Sequence, residues 1–164
     1  MREWFVAGAL IETDGKLLLV RNVRKDGRID WSPPGGVIER HAGESVTDGL
    51  WREVKEETGL SIDDWGHIRY RVEVVAPDLG WIMTAEVHHV VSYSGELDAT
   101  RDPDGIVSDA AFVAPSEASV LIGNAHRWVH EPLSEWMETR FDQPREFRYH
   151  MTGRGPSDGR ITRR

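Results

Sequence analysis

The chain contains no cysteine. That excludes a disulfide framework, a thiolate nucleophile and any cysteine-built metal site, and it fits a reducing compartment. Long apolar runs are missing as well. Nothing approaches the ~20 residues needed to span a bilayer, and Met1-Arg2-Glu3-Trp4 does not lead into the apolar segment of a secretion signal. These absences predict a cytoplasmic protein that does not engage membranes. Basic charge is outnumbered, with 20 Lys and Arg against 28 Asp and Glu and a net charge of −8. General affinity for a nucleic acid polymer needs the opposite balance. A single nucleotide is not excluded, because a bound metal ion inverts the charge of an acidic site.

What is present is enough for one ordinary domain with a real core, in 164 residues. The tail from Thr152 onwards is Gly, Arg, Ser and Pro without apolar periodicity. Residues 1–151 are therefore read as one domain and 152–164 as a flexible tail. Seven tryptophans are many for this length. Most belong in the core, with one or two available to stack on a base.

The chain is organised around Pro34 to Leu60. Pro34-Gly35-Gly36 reads as a loop whose glycines permit close approach of a ligand to the backbone. A helix follows. Ser45-Val46-Thr47-Asp48 resembles a capping box, Gly59 stands where a left-handed C-terminal cap is expected, and Val46, Leu50 and Val54 recur at helical spacing as the buried stripe. Glu53, Glu56 and Glu57 share another face, at i, i+3 and i+4. They repel one another there, and they lie in the last turns, where the helix dipole favours cations. Such a cluster implies a missing cation, and oxygen ligands select hard ions such as Mg²⁺. The alternative is a solvated acidic helix face.

The full constellation is longer than that face. Glu44 is followed by seven residues and then by Arg52-Glu53-Val54-Lys55-Glu56-Glu57-Thr58-Gly59-Leu60. This resembles the signature of the Nudix hydrolases (MutT-like proteins), Gly-x5-Glu-x7-Arg-Glu-U-x-Glu-Glu-x-Gly-U, with U aliphatic. Every fixed position of the second half is filled. The first half departs: the signature glycine would fall on Ile38, whereas the glycines are Gly35 and Gly36. A two-residue insertion within Arg40-His41-Ala42 repairs the register.

The resemblance implies an α/β fold, an α/β/α sandwich with a mixed sheet. It implies Mg²⁺-dependent hydrolysis, with Mn²⁺ as an alternative ion, of the pyrophosphate bond in a nucleoside diphosphate linked to another group. The substrate is then a small nucleotide, either a nucleoside triphosphate or a nucleoside diphosphate sugar such as ADP-ribose. Carried onto this chain, Glu53, Glu56 and Glu57 are metal ligands, with the Gly36 carbonyl as a backbone ligand. Arg52 orients the glutamates, and Glu44 supports the metal or orients water. The general base varies in the family; Asp102 and Asp104, in a long acidic loop, are candidates beside Glu44. A homodimer is left open. The rival reading is a Nudix fold kept as a nucleotide-binding or regulatory module without turnover.

The rest of the chain reads as strands over Trp4 to Glu12 and Lys16 to Val23 around the Asp14-Gly15 turn, then a polar loop Arg24 to Arg28. That loop is either a solvated turn or a source of phosphate contacts through Arg24, Lys25 or Arg28. Trp31 is expected beneath the glycine loop. Ser61 to Gly66 reads as a connection, and Ile68 to Val75 and Trp81 to Tyr93 as strands joined at Ala76 to Gly80. Pro77 falls where ADP-ribose-cleaving members often carry a proline, but Pro77-Asp78-Leu79-Gly80 is a turn by its own chemistry. Nothing after Leu60 resembles the Ser-Gln-Pro-Trp-Pro-Phe-Pro-x-Ser stretch of NADH-cleaving members. Ile106 to Val113 is a strand, Pro115 opens a helical turn, and Asn124 to Arg140 is a helix with Pro132 as a break or a new first turn. Phe147 to Met151 is a short last strand. His126 and His130 stand four apart without a third ligand. His88 and His89 point to opposite faces of a strand and cannot chelate together.

Overall fold

The computed structural model describes residues 1–164. In chain order the elements are β1 (Arg2–Leu10), β2 (Glu12–Thr13), β3 (Lys16–Val23), β4 (Ile29–Ser32), β5 (Gly35–Val37), α1 (Val46–Thr58), β6 (Ser61–Ala76), β7 (Trp81–Ser94), β8 (Val107–Val113), α2 (Pro115–Leu121), α3 (Arg127–Thr139), β9 (Arg145–Thr152) and β10 (Arg160–Arg163). A six-stranded sheet runs in the order β10-β9-β6-β7-β1-β5. It is mixed: β1 lies parallel to β7 and β6 parallel to β9, while the other pairs are antiparallel. β2, β3, β4 and β8 form a second, antiparallel sheet centred on β3.

Strand alternation sends side chains to two cores. On one face Ala7, Ala9 and Ile62 meet Leu50, Val54 and Leu60 of the α1 region. On the other, Val72, Val74 and Tyr149 meet Leu133 and Trp136 of α3. The result is the expected helix–sheet–helix sandwich. No helix is long and apolar enough to cross a membrane.

Local chemistry sets the ends of α1 as the sequence predicts. The Ser45 side chain accepts from the Asp48 N–H at 3.1 Å, and Gly59 closes the helix at φ 78° with its N–H on the Lys55 carbonyl. Leu50 and Val54 are fully buried. The stretch 77–80 is a turn, with Gly80 at φ 72°, and Trp31 packs against the α3-side core.

Four expectations need correction. Ser61 to Gly66 is not a connection. It is the start of β6, whose pairing with β7 shifts register repeatedly between Ile62 and Tyr70. Bulges of this kind break apolar alternation. Gly66 permits the close passage, since a Cβ there would stand 2.6 Å from His89 Nδ1. Pro132 does not break α3, which runs through it; burial of Leu133 and Trp136 against the sheet holds the helix across the lost hydrogen bond. β9 is not the last strand, and the tail is not featureless. Residues 160–163 pair antiparallel with β9, Ile161 packs on the core, and its carbonyl accepts from Arg127 at 2.7 Å. Pairing depends on the neighbour strand's free backbone edge, which local composition does not report. Last, Gly35 and Gly36 lie in a short strand rather than a loop, opposite Gly8 and Ala7 of β1.

Candidate active site

The site forms where β5 crosses the C-terminal half of α1. Gly35 must be glycine: a Cβ there would stand 2.0 Å from the Ala7 carbonyl oxygen. Its N–H donates to Glu57 Oε1 at 2.7 Å. A Cβ on Gly36 would meet the Glu53 carboxyl at 2.5–2.8 Å. The glycine pair thus lets backbone press directly onto two carboxylates.

Glu53 and Glu57 are both buried, each 8% exposed. Burial raises the Glu57 carboxyl to about 9, with the negative charges of Glu53 and Asp102 adding to it against the Gly35 N–H. Burial likewise raises Glu53 to about 7, although Arg52 pulls the other way. Glu57 makes no ion pair of its own; Arg24, across the cleft, pulls its carboxyl down but does not offset the burial. Two buried carboxyls whose affinity for protons is raised by desolvation, in a cleft, are a mark of function more than of packing.

Arg52 organises the remaining acids. Its Nε donates to Glu44 at 2.8 Å and one terminal nitrogen to the same carboxylate at 3.0 Å. The other reaches Glu53 at 3.0 Å and Glu56 at 3.5 Å. The guanidinium is held above its ordinary range by Glu44. Glu44 also accepts from the Glu39 N–H at 3.0 Å, and Arg52 pulls its carboxyl down to about 2. Both Glu44 oxygens are therefore committed. The structure shows Glu44 bracing Arg52. Between Glu39 and Glu44, where the insertion is expected, the chain makes one 3₁₀ turn over Arg40–Ala42, closed by Gly43 at φ 84°.

Glu53, Glu56 and Glu57 line one cleft with Gly36, Asp102 and Asp104, of 740 Å³. They do not close around a common point, and no three His, Cys, Asp or Glu side chains do so anywhere in the chain. Asp102 ties down its own loop, with one carboxylate oxygen accepting from the N–H groups of Ile106 at 3.0 Å and Val107 at 2.9 Å. The Asp104 carboxylate is exposed and receives no hydrogen bond from the chain.

The opposite wall was missed from the sequence, or left open. Arg24 and Arg28 reach the cleft, whereas Lys25 is exposed outside it. Arg24 is clamped by Asp30 through bonds of 2.8 and 2.9 Å, and Asn22 braces Asp30 at 3.0 Å. Arg28 meets His126 at 3.4 Å, and His126 stacks on Trp128 at 4.2 Å between ring centroids. His126 thus belongs to the cleft, not to a zinc pair with His130. His88, which bonds Glu86 at 3.1 Å, lies elsewhere.

The NUDIX domain model matches residues 1–137. The chain belongs to the NUDIX family. Its match to a provisionally named nudix hydrolase of Caenorhabditis elegans is 41% identical over 109 residues, 64% of this chain and 28% of that protein. An ADP-ribose pyrophosphatase of Methanocaldococcus jannaschii is 41% identical over 51 residues, 31% of this chain and 29% of that one. The matched stretches thus span about a third or less of these curated relatives. Among solved structures, the solution structure of the Escherichia coli ORF135 protein superposes with a TM-score of 0.68 at 25% identity. It covers 87% of this chain and 96% of that one. As a Nudix chain, the molecule packs the helix α1, with its glutamates, directly against the glycine strand β5.

Proposed function

We propose that this Nudix chain hydrolyses the pyrophosphate bond of a small nucleotide, a nucleoside triphosphate or a nucleoside diphosphate sugar such as ADP-ribose, with Mg²⁺ as cofactor. The observation that carries this reading is the buried pair Glu53 and Glu57 against the glycine strand, with Glu57 outside any ion pair. The donor set fits a hard divalent ion: it is all oxygen, and it is incomplete, as suits Mg²⁺, which keeps waters and shares phosphate oxygens. Glu53, Glu56, Glu57 and the Gly36 carbonyl would hold the ion; Mn²⁺ would fit the same donors. When bound, it would neutralise phosphate charge and lower the pKa of water.

The chain's own residues do the rest by positioning. Arg52, braced by Glu44, holds Glu53 and Glu56 in place. The Gly35 N–H fixes Glu57. Across the cleft, Arg24 and Arg28 face the phosphates as paired donors. Water attacks one phosphorus, the bridging oxygen leaves with its electron pair, and the proton passes to a carboxylate. Asp104 is free to take it, and Asp102 is not, being bonded to its own loop. The ADP-ribose pyrophosphatase of Methanocaldococcus jannaschii supports the sugar nucleotide half of this reading. The test is a panel of nucleoside triphosphates and ADP-ribose, with Mg²⁺ or Mn²⁺, read by mass spectrometry. Release of a nucleoside monophosphate that EDTA abolishes is expected. Binding without cleavage at every metal concentration would establish a nucleotide-binding module instead.

A further inference from the structure

The cleft has a second, apolar end. Val72, Ala85 and Val87 of the sheet face Trp128 and Val129 of α3 there, and Tyr70 lies among them. Tyr70 is 3% exposed, with its ring set edge-on to Phe147 at 5.8 Å and Phe141 at 6.5 Å. Buried phenols normally find a partner. Tyr149, equally buried, donates to Glu131 at 2.9 Å. The Tyr70 hydroxyl has no such partner in the chain, yet no sealed side-chain nitrogen or oxygen goes unbonded. The hydroxyl is therefore not sealed off, and Tyr70 lines the cleft.

One cavity thus joins carboxylates and arginines to an apolar wall, in which the Tyr70 hydroxyl and the Trp128 indole N–H are polar atoms without a partner in the chain. A ligand matching it is anionic at one end and flat, apolar-faced and hydrogen-bonding at its edge at the other. A nucleobase has that chemistry. We propose that Tyr70 is a specificity-determining residue, its hydroxyl hydrogen-bonding the edge of the nucleotide's base in the cleft beside α3. This rests on the nucleotide reading above. A site built to hydrogen-bond a substrate edge discriminates strongly, because the wrong edge leaves a buried polar group unpaired.

The test is Tyr70→Phe, which removes one oxygen and keeps the ring packing. ATP, GTP, CTP, UTP and ADP-ribose are compared as substrates with Mg²⁺, and the matching nucleoside monophosphates by calorimetric Kd without metal. For the preferred base, KM and Kd should rise about tenfold, kcat should hold within about twofold, and the preference among bases should flatten. Unchanged values, or one common factor for every base, would overturn the assignment. If the wild-type protein cleaves none of the panel, the hydrolase reading fails while the monophosphate Kd values still decide Tyr70. Failure to bind any monophosphate overturns Tyr70 as well.

Discussion

Glu57→Gln separates the carboxylate's function from its contribution to the fold. The Glu57 carboxyl titrates near 9 in the fold, chiefly because it is buried, against ~4.3 in an unfolded chain. A carboxyl raised in this way favours the folded state fully only below the unfolded value. That stability is lost as pH rises from ~4.3 towards about 9, since the unfolded chain ionises first. At ~pH 8 the full linkage would be ~5 kcal/mol. The amide keeps the oxygen that accepts from Gly35 at 2.7 Å but buries an NH₂ group in place of the second oxygen. Some of the gain is lost there, leaving ~2 kcal/mol, or ~4–8 °C in Tm for a chain of this size. Metal-free wild type and variant are melted in EDTA at ~pH 4 and ~pH 8, then with Mg²⁺. The variant should melt higher at the upper pH and level with wild type at the lower. Mg²⁺ should raise the wild-type Tm more than the variant's, by mass action on a site the variant lacks. Turnover should fall by about two orders of magnitude or more, as when an interaction made at the transition state is removed. Identical melting at both pH values would refute the burial argument. Unchanged turnover at saturating Mg²⁺ would refute the ligand assignment.

Glu44→Gln should lower kcat by about tenfold with the fold intact, because the amide cannot hold Arg52 at both of its present bonds; a wild-type kcat would remove Glu44 as the brace. Deleting two residues of Arg40-His41-Ala42 should leave activity within about tenfold, since an exposed turn adds little closure entropy; a loss of several orders of magnitude in a folded protein would show that the insertion shapes the site. Truncation after Thr152 should lower Tm by a few degrees, ~1–2 kcal/mol, through loss of the β10 pairing and the Arg127 bond to Ile161; no change in melting would mean that the tail contributes nothing to docking α3. Asp30→Asn should raise KM more than it lowers kcat, because Arg24 loses its charged clamp; equal loss in both would place Arg24 in the transition state rather than in binding.

Much of this protein is local and therefore readable in order along the chain. The capping serine, the terminal glycine and the 3.6-residue stripe of α1 act within a few residues of one another, so Ser45 to Gly59 follows from sequence alone. The three glutamates share a helix face by geometry that needs no partner. Their environment is another matter. That Glu57 is buried against Gly35 depends on β5 pairing with β1, a contact made across the fold. Glu44 bracing Arg52 depends on how the turn over Arg40–Ala42 folds back, which spacing does not encode. The second wall is further still: Arg24, Tyr70 and Trp128 come from the loop after β3, from β6 and from α3, and each looks like an ordinary loop or core residue in isolation. β10 and the bulged start of β6 were hidden for the same reason, since strand pairing is a property of the neighbour's edge as much as of the segment. Sequence by itself determined the helix, its acids and the family they mark. Tertiary structure decided which acids are desolvated, which are already paired, and what faces them across the cleft, because burial and charge pairing are sums over residues far apart in the chain.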